Sequence, residues 1–187
     1  YLDKSTKISL NTKNVYSKGM FENVCLAIKV ALDLNIDKKI IQKTLPSLKF
    51  EGRYQYLNHG KIKNKLHKNE TIMIDGAHSP ADSLNLYKYL KTIKLPIYGI
   101  WAMSKNKEPD LFLKNLKGIF KKVVTMPIEN ENSVNPDLLN KIASRNNIAS
   151  EVADNFKTAL TKIRSKEKKL IVCFGSLYNC GNILNQN

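Results

Sequence analysis

One segment of the chain reads Thr71-Ile72-Met73-Ile74-Asp75-Gly76-Ala77-His78-Ser79-Pro80. Its first four residues form a short apolar run, which favours a buried β-strand, and Asp75-Gly76 then predicts a turn. Ser79 is a typical N-cap residue, and Pro80 suits the first helical position because no intrahelical hydrogen bond is lost there. The segment therefore predicts a strand, a tight polar turn and a helix start in immediate succession.

The same alternation of short apolar runs and helical patterns continues from residue 54 to the end of the chain. We predict strands at 71–74, 97–102, 123–126, 149–152 and 170–174. Between them we predict helices at 80–93, 109–120, 136–143 and 154–163, the last with Asp154 as its N-cap. This alternation indicates an α/β fold, a Rossmann-like and mostly parallel sheet with helices on both faces.

Several polar residues follow the predicted strands directly. Asp75 and His78, the loop 103–108 and Ser176 all stand at the carboxyl end of a strand. In parallel sheets these ends share one edge, where ligands bind, so we expect the residues to converge. Helix N-termini at that edge favour an anionic ligand. No nucleophile with an adjacent base is evident, so covalent catalysis is not predicted.

The first 50 residues follow a different pattern. Strand and turn material at 1–16 precedes a helix at 19–34, whose predicted buried face is Phe21, Val24, Cys25, Ile28 and Leu32. A short helix at 38–44 follows Asp37, and 46–53 reads as a linker. We therefore predict two domains, 1–50 as the tail of a preceding domain and 51–187 as an α/β domain.

The net charge of +15 raises the question of a nucleic-acid partner. Only Arg53, Arg145 and Arg164 are arginines, whereas base recognition depends heavily on arginine, and the lysines are scattered along the sequence. We therefore expect no specific nucleic-acid binding from the sequence.

We also expect a cytoplasmic protein that is a monomer and has no metal site. Cys25, Cys173 and Cys180 are odd in number and lack C-x-x-C spacing, so reduced thiols are expected. The three histidines do not share metal-ligand spacing with them. No run of apolar residues is long enough for a membrane span, and the first residues do not read as a signal peptide.

The segments Gly52-Arg53-Tyr54-Gln55 and Asp75-Gly76-Ala77-His78-Ser79-Pro80 stand with three weaker motifs in a fixed order along the chain. Together they resemble the motifs of the bacterial folylpolyglutamate synthase/dihydrofolate synthase proteins of the Mur ligase superfamily. Asp75-Gly76-Ala77-His78-Ser79-Pro80 resembles their D-G-A-H-N-P motif, and Gly52-Arg53-Tyr54-Gln55 resembles G-R-x-Q. Weaker similarities are Asn23-Val24-Cys25-Leu26-Ala27 to N-A-x-x-A, Lys107-Glu108-Pro109 to K-D-P, and Gly175-Ser176-Leu177-Tyr178 to a closing G-S-x-Y. The matches span about residues 17 to 181, and the first two are the more specific.

The resemblance implies the Mur ligase C-terminal domain preceded by the tail of a central ATPase domain. It implies an ATP- and Mg²⁺-dependent ligase that adds L-glutamate to dihydropteroate or to folates through an acyl phosphate. Carried onto this chain, it implies that Asn23, Arg53 and Asp75 contact ATP, Asp75 through the ribose or by ordering the site. It further implies that His78 and Ser176 hold glutamate and that Lys107, also assigned to glutamate binding, lies near the glutamate carboxylates or the phosphates.

Each of these residues also has a purely structural interpretation. Asn23 and Ser176 could serve helix starts, Asp75 the turn before Gly76, and His78 a capped strand end; Arg53 and Lys107 could be ordinary surface residues. No residue is assigned as catalytic and none as a metal ligand.

The chain also departs from the family pattern. Ser79 replaces Asn, Glu108 replaces Asp, and Gly19-Met20 stand where His-Gln is usual, which puts nucleotide contacts near Met20 in doubt. The sequence contains no G-x-x-x-x-G-K-[ST] phosphate loop, and the family's Mg²⁺ ligands belong to upstream segments. We therefore expect this polypeptide to need the N-terminal ATPase domain as a partner and to be inactive alone. Two alternatives remain, a fragment of a cell-wall amino-acid ligase and a non-catalytic basic module that binds nucleic acid or another anion.

Overall fold

The computed structural model describes residues 1–3, 6–129 and 132–187. The chain divides into two compact units, Tyr1–Glu51 and Gly52–Asn187. The predicted strand and turn region at 1–16 includes two residues, Lys4 and Ser5, that lie outside the described part.

The N-terminal unit consists of a two-stranded ribbon and two helices. Strands β1 (Leu2–Asp3) and β2 (Thr6–Lys7) pair antiparallel. Helix α1 (Lys18–Asp33) begins at Ser17, whose side chain accepts a hydrogen bond from the Met20 N–H. Helix α2 (Lys38–Thr44) begins at Asp37 as predicted, and a 3₁₀ turn at Leu45–Ser47 follows it.

The buried face of α1 differs from the predicted one. Met20, Val24 and Ile28 are buried, whereas Phe21 is 37% exposed. The buried stripe is therefore rotated toward Met20, a residue that the predicted stripe of Phe21, Val24, Cys25, Ile28 and Leu32 omits.

The C-terminal unit is built on a six-stranded sheet in the order β3-β4-β8-β5-β6-β7. The strands are β3 (Gln55–Tyr56), β4 (Glu70–Asp75), β5 (Ile97–Trp101), β6 (Phe120–Thr125), β7 (Ala149–Val152) and β8 (Lys169–Phe174). Only β3 is antiparallel to its neighbour, and the other five strands are parallel. The predicted α/β fold with a mostly parallel sheet is confirmed.

Helices cover both faces of this sheet. They are α3 (Lys61–Lys65), α4 (Pro80–Leu90), α5 (Pro109–Lys114), α6 (Pro136–Arg145), α7 (Phe156–Ile163) and α8 (Leu177–Asn185). The chain moves across the sheet in one direction from β4 to β7, and right-handed crossovers therefore place α4, α5 and α6 on the same face. The return from β7 to β8 places α7 on the opposite face, where its apolar side chains join one core with those of α3 and α8.

Continuous apolar strands explain why the sheet is buried on both sides. On the face of α7 and α8, Ile72, Ile100 and Cys173 belong to the shared core. On the other face, Phe174 stacks on Phe120 with ring centroids 4.8 Å apart and on Trp101 at 6.1 Å. Trp101, the only tryptophan of the sequence, is fully buried.

The structure corrects several boundaries. The helix predicted at 109–120 ends at Lys114, because Gly118 takes a left-handed conformation (φ 78°) and Phe120 already belongs to β6. The helix predicted to end at 93 ends at Leu90. The N-cap of α7 is Asn155 rather than Asp154, since Asn155 Oδ1 accepts from the Thr158 N–H at 2.9 Å. Strand β3 and helix α3 were not predicted; both are short, and α3 is a lysine-rich turn.

A buried ion pair closes the amino-terminal end of the central strands. Glu70 and Lys169 are neighbours on β4 and β8, both have fully buried side chains, and their charged groups lie 3.2 Å apart. The Glu70 oxygens also accept from the N–H groups of His67 and Ser165. Burial opposes ionisation of Glu70, but these N–H groups and the Lys169 ammonium hold its pKa below the usual value.

Every polar atom of this pair has a defined partner. The Lys169 ammonium donates to the Ile163 carbonyl and to Ser165 Oγ, and it lies 4.8 Å from the centre of the Tyr98 ring.

No helix among the described residues is long and apolar enough to span a membrane.

Replacing Lys169 by Met should lower the free energy of unfolding by about 3 to 5 kcal/mol, because Glu70 would remain buried without its cation. Urea denaturation followed by Trp101 fluorescence measures this in the C-terminal unit. The matched control is Lys168→Met, an exposed neighbour whose change should stay within about 0.5 kcal/mol. Equal effects of the two substitutions would contradict a special role for the pair.

Candidate functional site

An open cavity of about 450 Å³ lies at the carboxyl edge of the sheet. Loops that follow β4, β5 and β8 supply its lining residues, which are His78, Ser104, Asn106, Lys107, Ser176, Leu177 and Tyr178. Three residues predicted from the sequence, His78, Lys107 and Ser176, therefore line one cavity. The order of the strands explains this, because β8 lies between β4 and β5.

The turn Gly52–Gln55 is fastened to the loop after β4. Gln55 Oε1 accepts from the Gly52 N–H at 2.8 Å, and the Gly76 N–H donates to the Gly52 carbonyl at 2.6 Å. Tyr54 has a left-handed backbone (φ 47°), and its N–H donates to Asp75 Oδ2 at 2.8 Å. The two more specific motifs thus form one hydrogen-bonded unit.

Asp75 lies inside this unit. The residue is 2% exposed, and its second oxygen, Oδ1, accepts from the Ala77 N–H at 2.8 Å. Burial raises the pKa of Asp75 to about 6, against the opposing effect of these N–H groups and of the Arg53 charge. Asp75 therefore binds the backbone of these loops with both oxygens, and both of its expected roles toward a nucleotide stay predictions.

Arg53 lies beside the same loop, half-buried. Its guanidinium also acts on Asp82: burial opposes ionisation of Asp82, but hydrogen bonds from Ser79 and His78 and the charge of Arg53 lower its pKa. Within the described part of the chain, no carboxylate comes within 4.0 Å of the guanidinium of Arg53. Arg53 is thus close enough to influence two carboxylates without forming an ion pair with either.

His78 is held at the start of α4. Its Nδ1 lies 2.7 Å from the Gly76 carbonyl, which can only accept, so Nδ1 carries a proton. Ser79 and Asp82 form a capping box, in which the Asp82 N–H donates to Ser79 Oγ and Asp82 Oδ2 accepts from the Ser79 N–H. Because Nδ1 of His78 is already bound to the Gly76 carbonyl, Nε2 is the ring atom that remains able to meet a ligand.

Ser176 is the N-cap of α8. Its Oγ accepts from the Asn179 N–H at 3.3 Å, and the residue is 3% exposed. The predicted capping role is thus present, and the hydroxyl proton remains able to donate elsewhere. The preceding Gly175 has φ 101°, and an added Cβ would lie 2.4 Å from the Ala102 carbonyl oxygen.

Lys107 belongs to the loop after β5. The Lys107 N–H donates to the Ser104 carbonyl at 3.2 Å, and Ser104 bridges to Ser133 across the next loop. This fixes the backbone on which the ammonium of Lys107 is carried. Among the described residues that ammonium forms no ion pair.

Asn23, the remaining predicted ATP contact, lies on α1 in the N-terminal unit. It lines an apolar cavity of about 350 Å³ together with residues of α1, α2 and the segment that follows them. The described residues of this unit form the cavity by themselves, and the role of Asn23 toward a nucleotide stays a prediction.

The sequence interpretation missed part of the cavity wall. Ser104 and Asn106 lie in the predicted loop 103–108, but nothing in their residue types singled them out. Leu177 and Tyr178 stood in a quoted motif without a role; Tyr178 is 72% exposed at the cavity mouth. The signal that could have identified these residues is their position directly after a predicted strand.

The buried thiols and the acidic residues give no second chemistry. Burial raises the pKa of Cys180 to about 12 and raises that of Cys173 as well. Neither thiol is therefore an activated nucleophile. In the part of the chain that the structure describes, no group of His, Cys, Asp and Glu residues could hold a metal ion.

Comparison with known proteins identifies the family to which the C-terminal unit is similar. A family model described as dihydrofolate synthetase, C-terminal domain, matches residues 55–186. The chain belongs to this family. The family resemblance expected from the motifs is confirmed, and no curated protein sequence matches the chain.

Solved structures show the same fold at low sequence identity. The chain is similar to a Mycobacterium tuberculosis folylpolyglutamate synthase complexed with ADP and AMPPCP (TM-score 0.77, 18% identity, 91% of this chain and 40% of that one). It is also similar to E. coli FolC in complex with ADP (TM-score 0.74, 17% identity, 94% and 40%). A third is a bifunctional Yersinia pestis folylpolyglutamate synthase/dihydrofolate synthase complexed with AMPPNP and Mn ion (TM-score 0.75, 14% identity, 97% and 42%). This member of the dihydrofolate synthetase family thus spans about 40% of the length of the structures it matches.

Replacing Gly175 by Ala should cost about 2 to 5 kcal/mol of unfolding free energy, since the Cβ adds overpacking against Ala102 to the strain of a positive φ. The control is Gly118→Ala, where φ is 78° but an added Cβ meets nothing within 4 Å. That variant should lose only the backbone part, about 1 to 2 kcal/mol. Urea denaturation compares them, and equal losses would contradict the proposed close packing.

Asp75 should give the protein a distinctive pH dependence. With its pKa near 6 in the folded state against an ordinary 3.8, the folded state binds the extra proton. The contribution of Asp75 to stability is therefore full below pH about 4 and falls as the pH rises through 6, by about 3 kcal/mol at ~1.36 kcal/mol per unit.

Urea denaturation of the wild type and of Asp75→Asn between pH 4 and 7 measures this contribution. The difference in unfolding free energy, wild type minus variant, should fall as the pH rises. Glu70→Gln should behave oppositely, because the lowered pKa of Glu70 means that its contribution is lost as the pH falls. A rising difference for Asp75→Asn would show that its carboxylate is stabilised in the charged form.

Proposed function

We propose that this chain is the glutamate-binding part of an ATP-dependent ligase that joins L-glutamate to dihydropteroate or to folates. The observation that carries the proposal is the convergence of His78, Lys107 and Ser176 on one cavity from three different strand ends. Its volume of about 450 Å³ lies within the range of small-molecule sites.

The chemistry of the lining suits an amino acid with two carboxylates. The Lys107 ammonium, which forms no ion pair within the described chain, supplies a positive charge for one carboxylate. The hydroxyl proton of Ser176 and the backbone N–H groups at the start of α8 offer donors for the other. Charge-assisted hydrogen bonds of this kind are stronger than neutral ones.

His78 can supply the hydrogen-bond acceptor that the amine of glutamate requires. Glutamate must attack as a neutral amine, so a neighbouring acceptor has to hold or remove a proton. Because Nδ1 of His78 donates to the Gly76 carbonyl, Nε2 of the neutral ring is an acceptor. We assign it to orient the amine and to accept a hydrogen bond from it.

Arg53 is the proposed contact to ATP, which would activate the pteroate or folate carboxylate as an acyl phosphate. A guanidinium is always ionised and multidentate, and here it stands outside any ion pair of the described residues. Its charge acts on Asp75, whose loop also carries His78 of the proposed glutamate cavity. The Mg²⁺ of such a reaction finds no ligand group among the described residues.

The division into units supports a matching division of labour. We assign Tyr1–Glu51 to the end of a central ATP-binding domain, with Asn23 as a nucleotide contact, and Gly52–Asn187 to the glutamate-binding domain. Since the 187 residues contain no phosphate loop, we propose that they do not turn over ATP alone.

An NMR titration with L-glutamate tests the proposal. The backbone amides of residues 76–79, 104–107 and 175–178 should shift, because they surround the cavity. Lys107→Gln should weaken binding about tenfold, the loss expected when a charged hydrogen bond is removed. The matched control is Lys141→Gln, an exposed lysine of α6, which should bind glutamate as the wild type does.

Competing amino acids separate the family alternatives. If L-alanine or diaminopimelate, building blocks of the cell wall, shifts these amides and L-glutamate does not, the folate assignment is wrong and the cell-wall ligase is favoured. If neither shifts them, the cavity is not the amino-acid site.

A further inference from the structure

The charged side chains of the C-terminal unit are sorted between the two edges of its sheet. The five parallel strands share one amino-terminal edge, opposite the cavity. Loops and helix ends at this edge carry the exposed basic residues Lys65, Lys68, Lys91, Lys94, Lys114, Lys117, Lys121, Arg145, Lys162, Arg164, Lys166 and Lys168. Among the carboxylates described there, Glu70 is buried with Lys169 and Glu167 pairs with Lys121.

The carboxyl edge carries charges of both signs. Its loops and helix starts carry the acidic residues Asp82, Glu108, Asp110, Glu129, Asp137 and Asp154 beside the basic residues Arg53, Lys105, Lys107 and Lys157. The basic character of the protein in this unit is therefore concentrated on the side away from the cavity. Abundant lysine alone does not produce such sorting, because a compositional bias acts equally on both edges.

Helix dipoles explain some of the sorting. Basic residues stabilise helix C-termini, and Lys114, Arg145 and Lys162 stand in the last turns of α5, α6 and α7. Arg164 is the C-cap of α7, and five further lysines lie in loops beyond the helices, where this explanation does not hold. We call Lys68, Lys94, Lys117, Arg164, Lys166 and Lys168 the basic edge; none of the six is buried, and none forms an ion pair within the described chain.

We propose that the basic edge binds the phosphate backbone of a nucleic acid without reading its sequence. This surface is separate from the cavity and does not depend on the ligase function. The spacing fits, because five parallel strands at ~4.8 Å extend the edge over roughly 19 Å, the length of about five or six nucleotides at ~3.4 Å each.

The residue types define the kind of binding. Five of the six residues are lysines, which neutralise phosphates as point charges, whereas recognition of base edges depends on arginine and amide side chains. The absence of specific recognition expected from the sequence therefore agrees with the proposal. What the sequence did not reveal is that lysines scattered along the chain come together at one edge.

Fluorescence anisotropy with a labelled single-stranded RNA and a duplex DNA, each about 20 nucleotides or base pairs long, tests the proposal when it is repeated at several salt concentrations. The edge variant carries Lys68→Gln, Lys94→Gln, Lys117→Gln, Lys166→Gln and Lys168→Gln. It should bind at least about tenfold more weakly than the wild type. For the duplex, its plot of log affinity against log salt should be less steep by about 4.5, at ~0.9 for each of the five lost phosphate contacts.

The control variant removes the same charge elsewhere, with Lys38→Gln, Lys39→Gln, Lys43→Gln, Lys141→Gln and Lys157→Gln, all exposed lysines. It should bind within about threefold of the wild type, since a contact to a phosphate depends on the position of the lysine as well as on its charge. Equal losses in both variants would mean that net charge and not the edge drives binding, which overturns the proposal. Circular dichroism establishes that both variants fold.

Two further outcomes also overturn the proposal. One is a wild type that binds neither nucleic acid at about 150 mM salt, a concentration at which backbone contacts are still measurable for a surface of this charge. The other is binding to vesicles of phosphatidylcholine with phosphatidylserine in place of nucleic acid, which would assign the edge to an anionic lipid surface.

Discussion

A buried carboxylate joins the two loops from which the candidate site is built. Asp75 accepts the Tyr54 N–H with one oxygen and the Ala77 N–H with the other, and the Gly76 N–H adds a bond to the Gly52 carbonyl. Tyr54 keeps its left-handed backbone because these bonds hold it there. The position of Arg53, one residue earlier, and that of His78, three residues after Asp75, follow from the same cluster.

This arrangement explains why glycine occupies the motif positions. A Cβ at Gly76 would lie 2.8 Å from Leu177 Cδ1, and one at Gly175 would meet the end of β5. The loops after β4, β5 and β8 therefore approach each other more closely than side chains allow. Close approach brings His78, Lys107 and Ser176 to one cavity, although they lie far apart in the sequence.

The sequence was most informative where local signals agreed with the fold. Apolar runs predicted β4, β5 and β8 nearly to the residue, and Asp37 and Ser79 marked true helix starts. Prediction failed where tertiary packing decides. The helix predicted at 109–120 ends at Lys114, and its last predicted residue, Phe120, is the first of β6, where its ring packs on Phe174 in the sheet. The turn-like residues around β3 gave no strand signal, since β3 exists only by pairing with β4.

For the site, the rule that ligands meet at the carboxyl edge was sufficient to bring His78, Lys107 and Ser176 together. It could not show that both Asp75 oxygens are used by the backbone, because that depends on the conformation of Tyr54. Nor could a linear sequence show the sorting of charge between the two edges, which only the strand order creates.

That strand order also bears on how the protein is made. The last strand, β8, lies in the middle of the sheet between β4 and β5. Thr71 of β4, for example, cannot pair with Leu170 of β8 until that later part of the chain has been synthesised. Pairing over such separations is slow, and until it occurs the apolar edges of β4 and β5 stay open. During synthesis on the ribosome the sheet therefore cannot close until β8 has emerged, and the partly made sheet is exposed to aggregation until then.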